Sequence, residues 1–225
     1  MKILLLFIVA VTIVSIVNSS LIHSNEEGND CPPPEQLDPC TCFKDLNSGR
    51  VTVLCSNFSD AELLRNIFDR NPGWKLQDVH IDRSIMAYIP ASLLERAQFQ
   101  RLNVSFTTLV TLFDKTPVQT PELNLYLYNL RLQRGFVWST IANSSLIDLG
   151  IFKMAIRRFG RTFKENIPKV VRNLFFENTD VQAILDEAFS DLHDLQSLVL
   201  DGGNLKTITR NMFPSPWKVR FWSLK

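Results

Sequence analysis

The sequence lacks a strong charge imbalance, any cysteine beyond residue 55 and the common catalytic motifs. Its 24 Lys and Arg residues stand against 23 Asp and Glu residues, for a formal net charge of +1. A general nucleic-acid binder carries a basic excess because phosphate contacts supply most of its non-specific affinity, so we expect no nucleic-acid partner. Disorder is excluded on composition, because 45% hydrophobic residues with 16 Phe can bury a core.

Little in the sequence could support catalysis. The three His residues, His23, His80 and His193, include no pair with metal-ligand spacing. No Gly-x-Ser-x-Gly, Gly-x-x-x-x-Gly-Lys or Gly-x-Gly-x-x-Gly motif occurs. Gly202 and Gly203 follow a predicted strand, where a tight turn explains them better than a phosphate site. We therefore expect a protein that is not an enzyme and that has no cofactor and no metal.

The first 20 residues, MKILLLFIVAVTIVSIVNSS, have one basic residue, then an apolar stretch, then small and polar residues. This order is typical of a secretory signal peptide, with cleavage near Ser19 and a flexible tail over residues 20–30. An uncleaved anchor is the alternative, but the apolar run is shorter than the ~20 residues that a spanning helix needs. No later stretch is longer, so we predict a secreted, extracellular protein with no membrane span in the mature chain.

All four cysteines, Cys31, Cys40, Cys42 and Cys55, lie within 25 residues. An oxidising compartment favours disulfides, whereas a zinc site would require separated Cys pairs or His partners. Four cysteines allow three pairings, and their spacing alone does not choose among them. The cluster predicts a disulfide-bonded cap.

Apolar residues recur at a regular spacing through the rest of the chain. Most units carry an apolar residue at the start and at +3, +5 and +10, as do Leu195, Leu198, Leu200 and Leu205. The starts lie 23 to 25 residues apart, at positions 76, 99, 122, 146, 171, 195 and 219. The segment LNLYLYNLRL is ambiguous in register, and placing Leu125 and Leu127 inward makes residue 122 a nominal start. Such a period is the signature of a repeat architecture.

This pattern resembles the leucine-rich repeat, L-x-x-L-x-L-x-x-N-x-L. The preceding cysteine cluster resembles the N-terminal cap of extracellular members of that family. The resemblance implies disulfides Cys31–Cys42 and Cys40–Cys55 and the fold class of an α/β solenoid, a horseshoe with a parallel concave sheet. It places a cysteine-rich cap at 31–75 and about seven repeats at 76–225, the last incomplete and without a C-terminal cap.

Two segments, CPPPEQLDPCTC and VTVLCSN, are also similar to a group of secreted arthropod leucine-rich-repeat proteins. That group includes proteins named after the non-catalytic subunit of a shrimp luciferase. The similarity implies a secreted partner of a separate catalytic chain. It does not imply catalysis by this one.

The sequence departs from the family at the ninth position of the repeat, where Asn usually bonds neighbouring coils. Ser and Thr hydroxyls could replace some of these bonds, but Leu and Met side chains cannot. We therefore predict irregular packing around the third and fourth repeats. The residues at this position are Ser84, Thr107, Leu130, Met154, Thr179 and Gly203.

The repeat predicts which residues face outward on the concave sheet. Strand alternation turns the +2, +4 and +6 residues away from the core. Tyr126, Tyr128, Phe152 and Phe175 then form one aromatic patch, with a dip at Gly150. Such a patch indicates a binding face for an unidentified extracellular protein. The alternatives are a wrong register in the third repeat, or a covering segment.

A basic patch at Arg157, Arg158, Arg161 and Lys164 lies in one connecting segment. It could bind a sulfated glycosaminoglycan through charge-assisted hydrogen bonds. The alternative is a solvated back of the coil.

Three N-glycosylation sequons begin at Asn57, Asn103 and Asn143. Asn103 falls in the central concave column, where a glycan would shield the N-terminal half of the sheet. Binding would then be confined to the aromatic half.

We thus expect a secreted, non-enzymatic protein that binds another protein on its concave face. The alternatives are a non-catalytic accessory subunit of a secreted oxidoreductase and a structural component of the extracellular matrix. Because solenoids normally end in a cap, the stop within a repeat also predicts a truncated sequence, with an oligomer or another chain as alternatives.

Overall fold

The computed structural model describes residues 31–70, 73–96, 98–118, 120–216 and 218–224. The predicted signal peptide and tail lie outside these residues. Within the described part of the chain, no helix is long and apolar enough to cross a membrane.

The N-terminal region combines a short helix, a hairpin and a longer helix. Helix α1 (Pro34–Leu37) precedes strands β1 (Thr41–Lys44) and β2 (Val51–Ser56), which pair antiparallel. Helix α2 (Ala61–Asp69) follows and begins where the Asp60 side chain accepts a hydrogen bond from the backbone N–H of Glu62. Its apolar face is buried, which fixes the helix against the sheet.

Two disulfides join this region. Cys31 is bonded to Cys42 and Cys40 to Cys55, with Cα atoms 5.7 and 4.3 Å apart. This is the pairing that the leucine-rich-repeat resemblance implies. The second bond ties the start of the hairpin to β2, so the first strand of the parallel ladder is covalently anchored.

Seven longer strands follow and extend the same sheet. They are β3 (Asp78–Asp82), β5 (Arg101–Ser105), β7 (Leu123–Tyr128), β9 (Leu146–Phe152), β11 (Asn173–Glu177), β13 (Ser197–Asp201) and β14 (Phe221–Leu224). The nine strands lie in the order β1-β2-β3-β5-β7-β9-β11-β13-β14, and every pair after the hairpin is parallel. The fold is therefore a mostly parallel α/β sheet in which each unit adds one strand to its neighbour.

Shorter elements connect these strands. Strands β4 (Ile85–Met86), β6 (Thr108–Leu109) and β8 (Arg131–Leu132) form one parallel ladder, and β10 (Arg158–Phe159) with β12 (Ala183–Ile184) forms another. The remaining elements are helices α3 (Ala91–Arg96) and α4 (Arg161–Asn166) and 3₁₀ turns at Trp138–Ile141 and Arg210–Met212. Helices are few and short, so the parallel sheet dominates the structure.

The core contains the residues that the spacing turns inward. Leu102, Leu125 and Leu149 occupy equivalent places in successive strands and are fully buried, as are Val104, Leu127 and Ile151. Leu125 pairs with Leu102, which resolves the ambiguous third unit in the predicted register.

The last unit differs. Trp222 lies opposite the core residue Leu198, as the spacing predicts, but is 60% exposed. No described segment packs over Trp222, so its side chain is exposed although its place in the repeat is a core position.

A left-handed residue ends each of seven successive strands. Its φ lies between 46° and 77°, and from Asn57 to Asn178 its N–H donates to the last carbonyl of the next strand at 2.8 to 3.1 Å. This hydrogen-bonded turn recurs after successive strands, so the connections that follow them begin at equivalent positions. The residues are Asn57, Arg83, Phe106, Asn129, Lys153, Asn178 and Gly202.

Two hydroxyls replace the missing asparagine in the first units. The backbone N–H of Phe58 donates to Ser84 Oγ at 3.0 Å, and that of Ser84 donates to Thr107 Oγ1 at 3.2 Å. Each hydroxyl in turn donates to the carbonyl oxygen two residues before it. Thr179 occupies the equivalent place in a later unit, yet its buried hydroxyl has no partner among the described residues.

Irregular packing occurs where the apolar residues Leu130 and Met154 hold this position. The register shifts between Leu123 and Asn124, so that β7 and β9 pair with one extra residue in β9. The ladder of short strands also stops at β8 and resumes with β10. Both breaks lie at the third and fourth units, as the loss of the polar side chain predicts.

Thr107 and Thr179 occupy equivalent positions, and replacing each should show which of the two hydroxyls contributes to stability. Thr107→Val leaves the buried N–H of Ser84 without its acceptor, which should lower the free energy of unfolding by about 1–3 kcal/mol. Thr179→Val removes an unpaired buried hydroxyl and should be neutral or stabilising. Urea denaturation of the secreted protein measures both changes. Equal losses in the two variants would contradict this assignment.

Candidate binding face of the sheet

Strand register brings the predicted aromatic residues to one face. The central column of outward residues, one per strand, is His80, Asn103, Tyr126, Gly150, Phe175 and Val199. The column beside it is Asp82, Ser105, Tyr128, Phe152, Glu177 and Asp201. All four predicted aromatic side chains are half-buried.

The rings of Tyr128 and Phe152 lie 6.3 Å apart, and Phe106 adds an edge contact to Tyr128 at 5.3 Å. The predicted dip at Gly150 is wrong. A Cβ atom there would come within 2.5 Å of both Tyr126 and Phe152 ring atoms, so these rings already occupy the space above the glycine. Gly150 is thus the place where two aromatic side chains can approach the backbone. The face therefore has no dip at Gly150.

Phe106 belongs to this face although the sequence reasoning missed it. The residue is 54% exposed and directly follows the outward column, at the left-handed turn position. Lys153 occupies the same turn position two units later and places Nζ 5.0 Å from the Tyr128 ring centre. The sequence feature from which Phe106 and Lys153 could have been identified is the recurrence of a turn residue after every strand.

Phe175 stands apart from the other rings. It pairs directly with Gly150 across the strands, but no ring contact links it to another aromatic residue in the described part of the chain. It therefore extends the face without joining the Phe106, Tyr128 and Phe152 cluster.

Charged side chains occupy the N-terminal end of the same face. Arg50 donates to Asp78 from Nε and Nη2, both at 2.8 Å, and Arg101 lies 3.7 Å from the same carboxylate. Burial raises the pKa of Asp78, but the hydrogen bonds and charge of Arg50 outweigh it and leave that pKa below its usual value. The pair joins the hairpin to the first parallel strands.

A second polar group adjoins the aromatic residues. Arg101 lies over the Tyr126 ring at 5.7 Å, and the Tyr126 hydroxyl donates to Asp148 at 3.4 Å. Asn173 donates to the other oxygen of Asp148 at 2.6 Å. Burial, followed by the negative charge of Asp148, raises the pKa of Tyr126. Arg101 and Asp148 therefore both contact Tyr126 and fix the position of its ring on the face.

His80 and Asn103 are neighbours in the central column. The Asn103 amide nitrogen lies 2.6 Å from His80 Nε2. An amide nitrogen only donates, so this ring nitrogen accepts and is unprotonated, in agreement with the pKa of His80, which burial lowers. A glycan on Asn103 would be attached at this same amide nitrogen, so it would displace the contact with His80. Asn57 and Asn143 are exposed, and glycosylation stays a prediction at all three sites.

Most of the predicted basic patch is paired with acidic side chains. Lys164 donates to Glu187 at 2.8 Å, while Arg157 lies 3.8 Å from Asp180 and Arg161 lies 3.9 Å from Glu165. Arg158 is exposed at the start of β10. A sulfated glycosaminoglycan would have to compete with these carboxylates, so the contacts favour the solvated back of the coil.

A broad, mostly polar groove of about 1100 Å³ runs along the ends where the strands begin. Its lining includes Gln77, Gln100, Asn124, Asp148 and Asn173, but none of the aromatic residues of the face. No group of three or more His, Cys, Asp or Glu among the described residues could hold a metal ion. The aromatic cluster is therefore an open surface beside this groove.

Comparison with known proteins identifies no relative, since neither a protein-family model nor a curated protein matches the chain.

The ion pair at the hairpin should make stability depend on pH. The lowered pKa of Asp78 means that its stabilisation is present above the unfolded pKa of about 3.9 and is lost as pH falls through the folded pKa. Asp78→Asn should lower the free energy of unfolding by about 2 kcal/mol at pH 7. The difference from the unaltered protein should shrink below about pH 4.

Asp194→Asn is the control, because Asp194 and Lys218 are exposed and 3.9 Å apart. It should change stability by less than about 0.5 kcal/mol. Urea denaturation at pH 7 and pH 3 measures both variants. A loss in Asp78→Asn that is the same at both pH values would disprove the linkage.

Proposed function

We propose that this chain is a secreted, non-enzymatic leucine-rich-repeat protein that binds another extracellular protein through the concave face of its sheet. The horseshoe architecture is part of this proposal. It is supported by parallel strands that pair in register at successive units of 23 to 25 residues. The left-handed turn that recurs after each strand gives further support.

Secretion is supported by the cysteine chemistry. All cysteines in the chain are committed to two disulfides, which persist in oxidising compartments and are rare in the cytosol. The apolar N-terminal segment supports the same conclusion from the sequence.

The observation that carries the binding proposal is the set of aromatic side chains on one face. Tyr126, Tyr128, Phe152 and Phe175 lie on adjacent strands and are half-buried. Tyr128 contacts Phe152, the rings of Tyr126 and Phe152 cover Gly150, and Phe175 extends the face beyond them. Tyr is enriched among the residues that dominate binding energy at protein interfaces, and contiguous exposed apolar surface marks an interaction site.

A double variant tests the face directly. Phe152→Ala with Phe175→Ala should abolish capture of the partner from extracellular fluid and leave the secreted yield unchanged, because both side chains are outward. Val170→Ala with Leu185→Ala is the matched control, since those side chains are 46% and 45% exposed outside the concave columns. The measurement is the amount of partner retained on immobilised protein, followed by its identification.

Equal retention by the double variant and the control would refute binding on this face. A retained chain with oxidoreductase activity would favour the accessory-subunit alternative. Retention only of glycosaminoglycan would favour the matrix alternative.

A further inference from the structure

The turn that ends each strand contains residue types that its backbone disfavours at three of seven places. Asn and Gly adopt φ near +50° readily, and the other four turns use them. Arg83, Phe106 and Lys153 adopt φ of 46°, 48° and 54° without that advantage. Arg83 is bound to Asp82, whereas Phe106 and Lys153 both contact Tyr128. Costly backbone conformations concentrate at functional sites, so these two side chains are candidates for a role outside folding.

Both side chains converge on Tyr128. Phe106 contacts its ring edge at 5.3 Å and Lys153 lies 5.0 Å from its centre, while Phe152 lies 6.3 Å away on the far side. Ile85, in strand β4 just after the preceding turn at Arg83, is 70% exposed. We call this surface the turn edge: Ile85, Phe106, Tyr128, Arg131, Phe152 and Lys153.

The turn edge carries positive charge that no carboxylate neutralises. Arg131 and Lys153 form no ion pair within the described residues, whereas Arg83 at the preceding turn is bound to Asp82 at 2.6 Å. Glu177 lies opposite Phe152 on the following strand, so the positively charged surface does not extend past β9. A partner that complements this surface supplies carboxylates together with apolar side chains.

From these observations we propose that the turn edge binds an extended acidic segment of the partner protein. The segment lies across the ends of β3, β5, β7 and β9 with an apolar side chain against Phe106 and Ile85 and carboxylates at Arg131 and Lys153. Three strand spacings of about 4.8 Å cover about 14 Å, a length that four or five extended residues span. This inference rests on the proposed function, because it names the chemistry of the partner for the same face.

The test uses substitutions that the turn itself accepts. Phe106→Gly and Lys153→Asn introduce residue types found at four of the equivalent turns, so thermal stability should be unchanged or higher. Gly is used at position 106 because Asn there would create an N-glycosylation sequon with Thr108. Asn178→Gly is the matched control, because it alters the same turn outside the turn edge. Lys153→Glu reverses the charge at the site.

The probe is a phage-displayed library of random twelve-residue peptides, selected on the immobilised secreted protein. We expect net-negative peptides with an aromatic or branched aliphatic residue, which bind Phe106→Gly and Lys153→Asn at least tenfold more weakly. Asn178→Gly should bind them unchanged, their affinity should fall as salt rises, and Lys153→Glu should select peptides without the acidic excess. Peptides that are not acidic, affinities in Phe106→Gly and Lys153→Asn equal to that of the unaltered protein, or no enrichment would overturn the proposal.

Partner capture separates this proposal from the one on which it rests. If capture is lost in the Phe152 and Phe175 double variant but kept in Phe106→Gly and Lys153→Asn, the turn edge is not the site and the concave face remains. If every variant captures equally, both proposals fail.

Discussion

Backbone hydrogen bonds between equivalent residues of successive units are the constraint on which the rest of the structure depends. Each parallel strand satisfies its backbone by pairing with the next, so a unit has no stable partner except its neighbours. The N–H of the left-handed turn continues this ladder past the end of the strand. Side chains at equivalent positions of successive units therefore lie side by side and form columns across the sheet.

The periodicity of apolar residues was enough to predict the sheet and most of its core. Leu102, Leu125 and Leu149 are aligned because they occupy one position of the repeat, and the outward columns follow from strand alternation. The apolar spacing did not mark the turn at Phe106, since neither the residue type nor its hydropathy indicates a left-handed conformation. Only its position does, because Asn57, Asn129 and Asn178 occupy the equivalent place in other units. The rings over Gly150 were also beyond it, because rotamers depend on neighbouring strands.

Hydrogen bonding between units is uneven along the molecule. Ser84 and Thr107 accept from the backbone of adjacent units, whereas Leu130 and Met154 only pack. The register shift and the break between β8 and β10 coincide with this loss of polar contacts. The aromatic face lies over the same units, where Tyr128 contacts Phe106 and Phe152. The units with the least regular backbone pairing therefore also carry the ring contacts of this face.

Whether a basic side chain is paired with a carboxylate depends on the residue at the equivalent place in the next unit. Lys164 lies in the strongest basic run of the sequence, yet Glu187, 23 residues later, neutralises it from the following unit. Arg131 and Lys153 belong to no run, and their equivalents in neighbouring units are mostly not acidic, so their charge is uncompensated where it meets the aromatic cluster. In a repeat fold, local electrostatics is therefore determined by residues one period apart more than by residues adjacent in sequence.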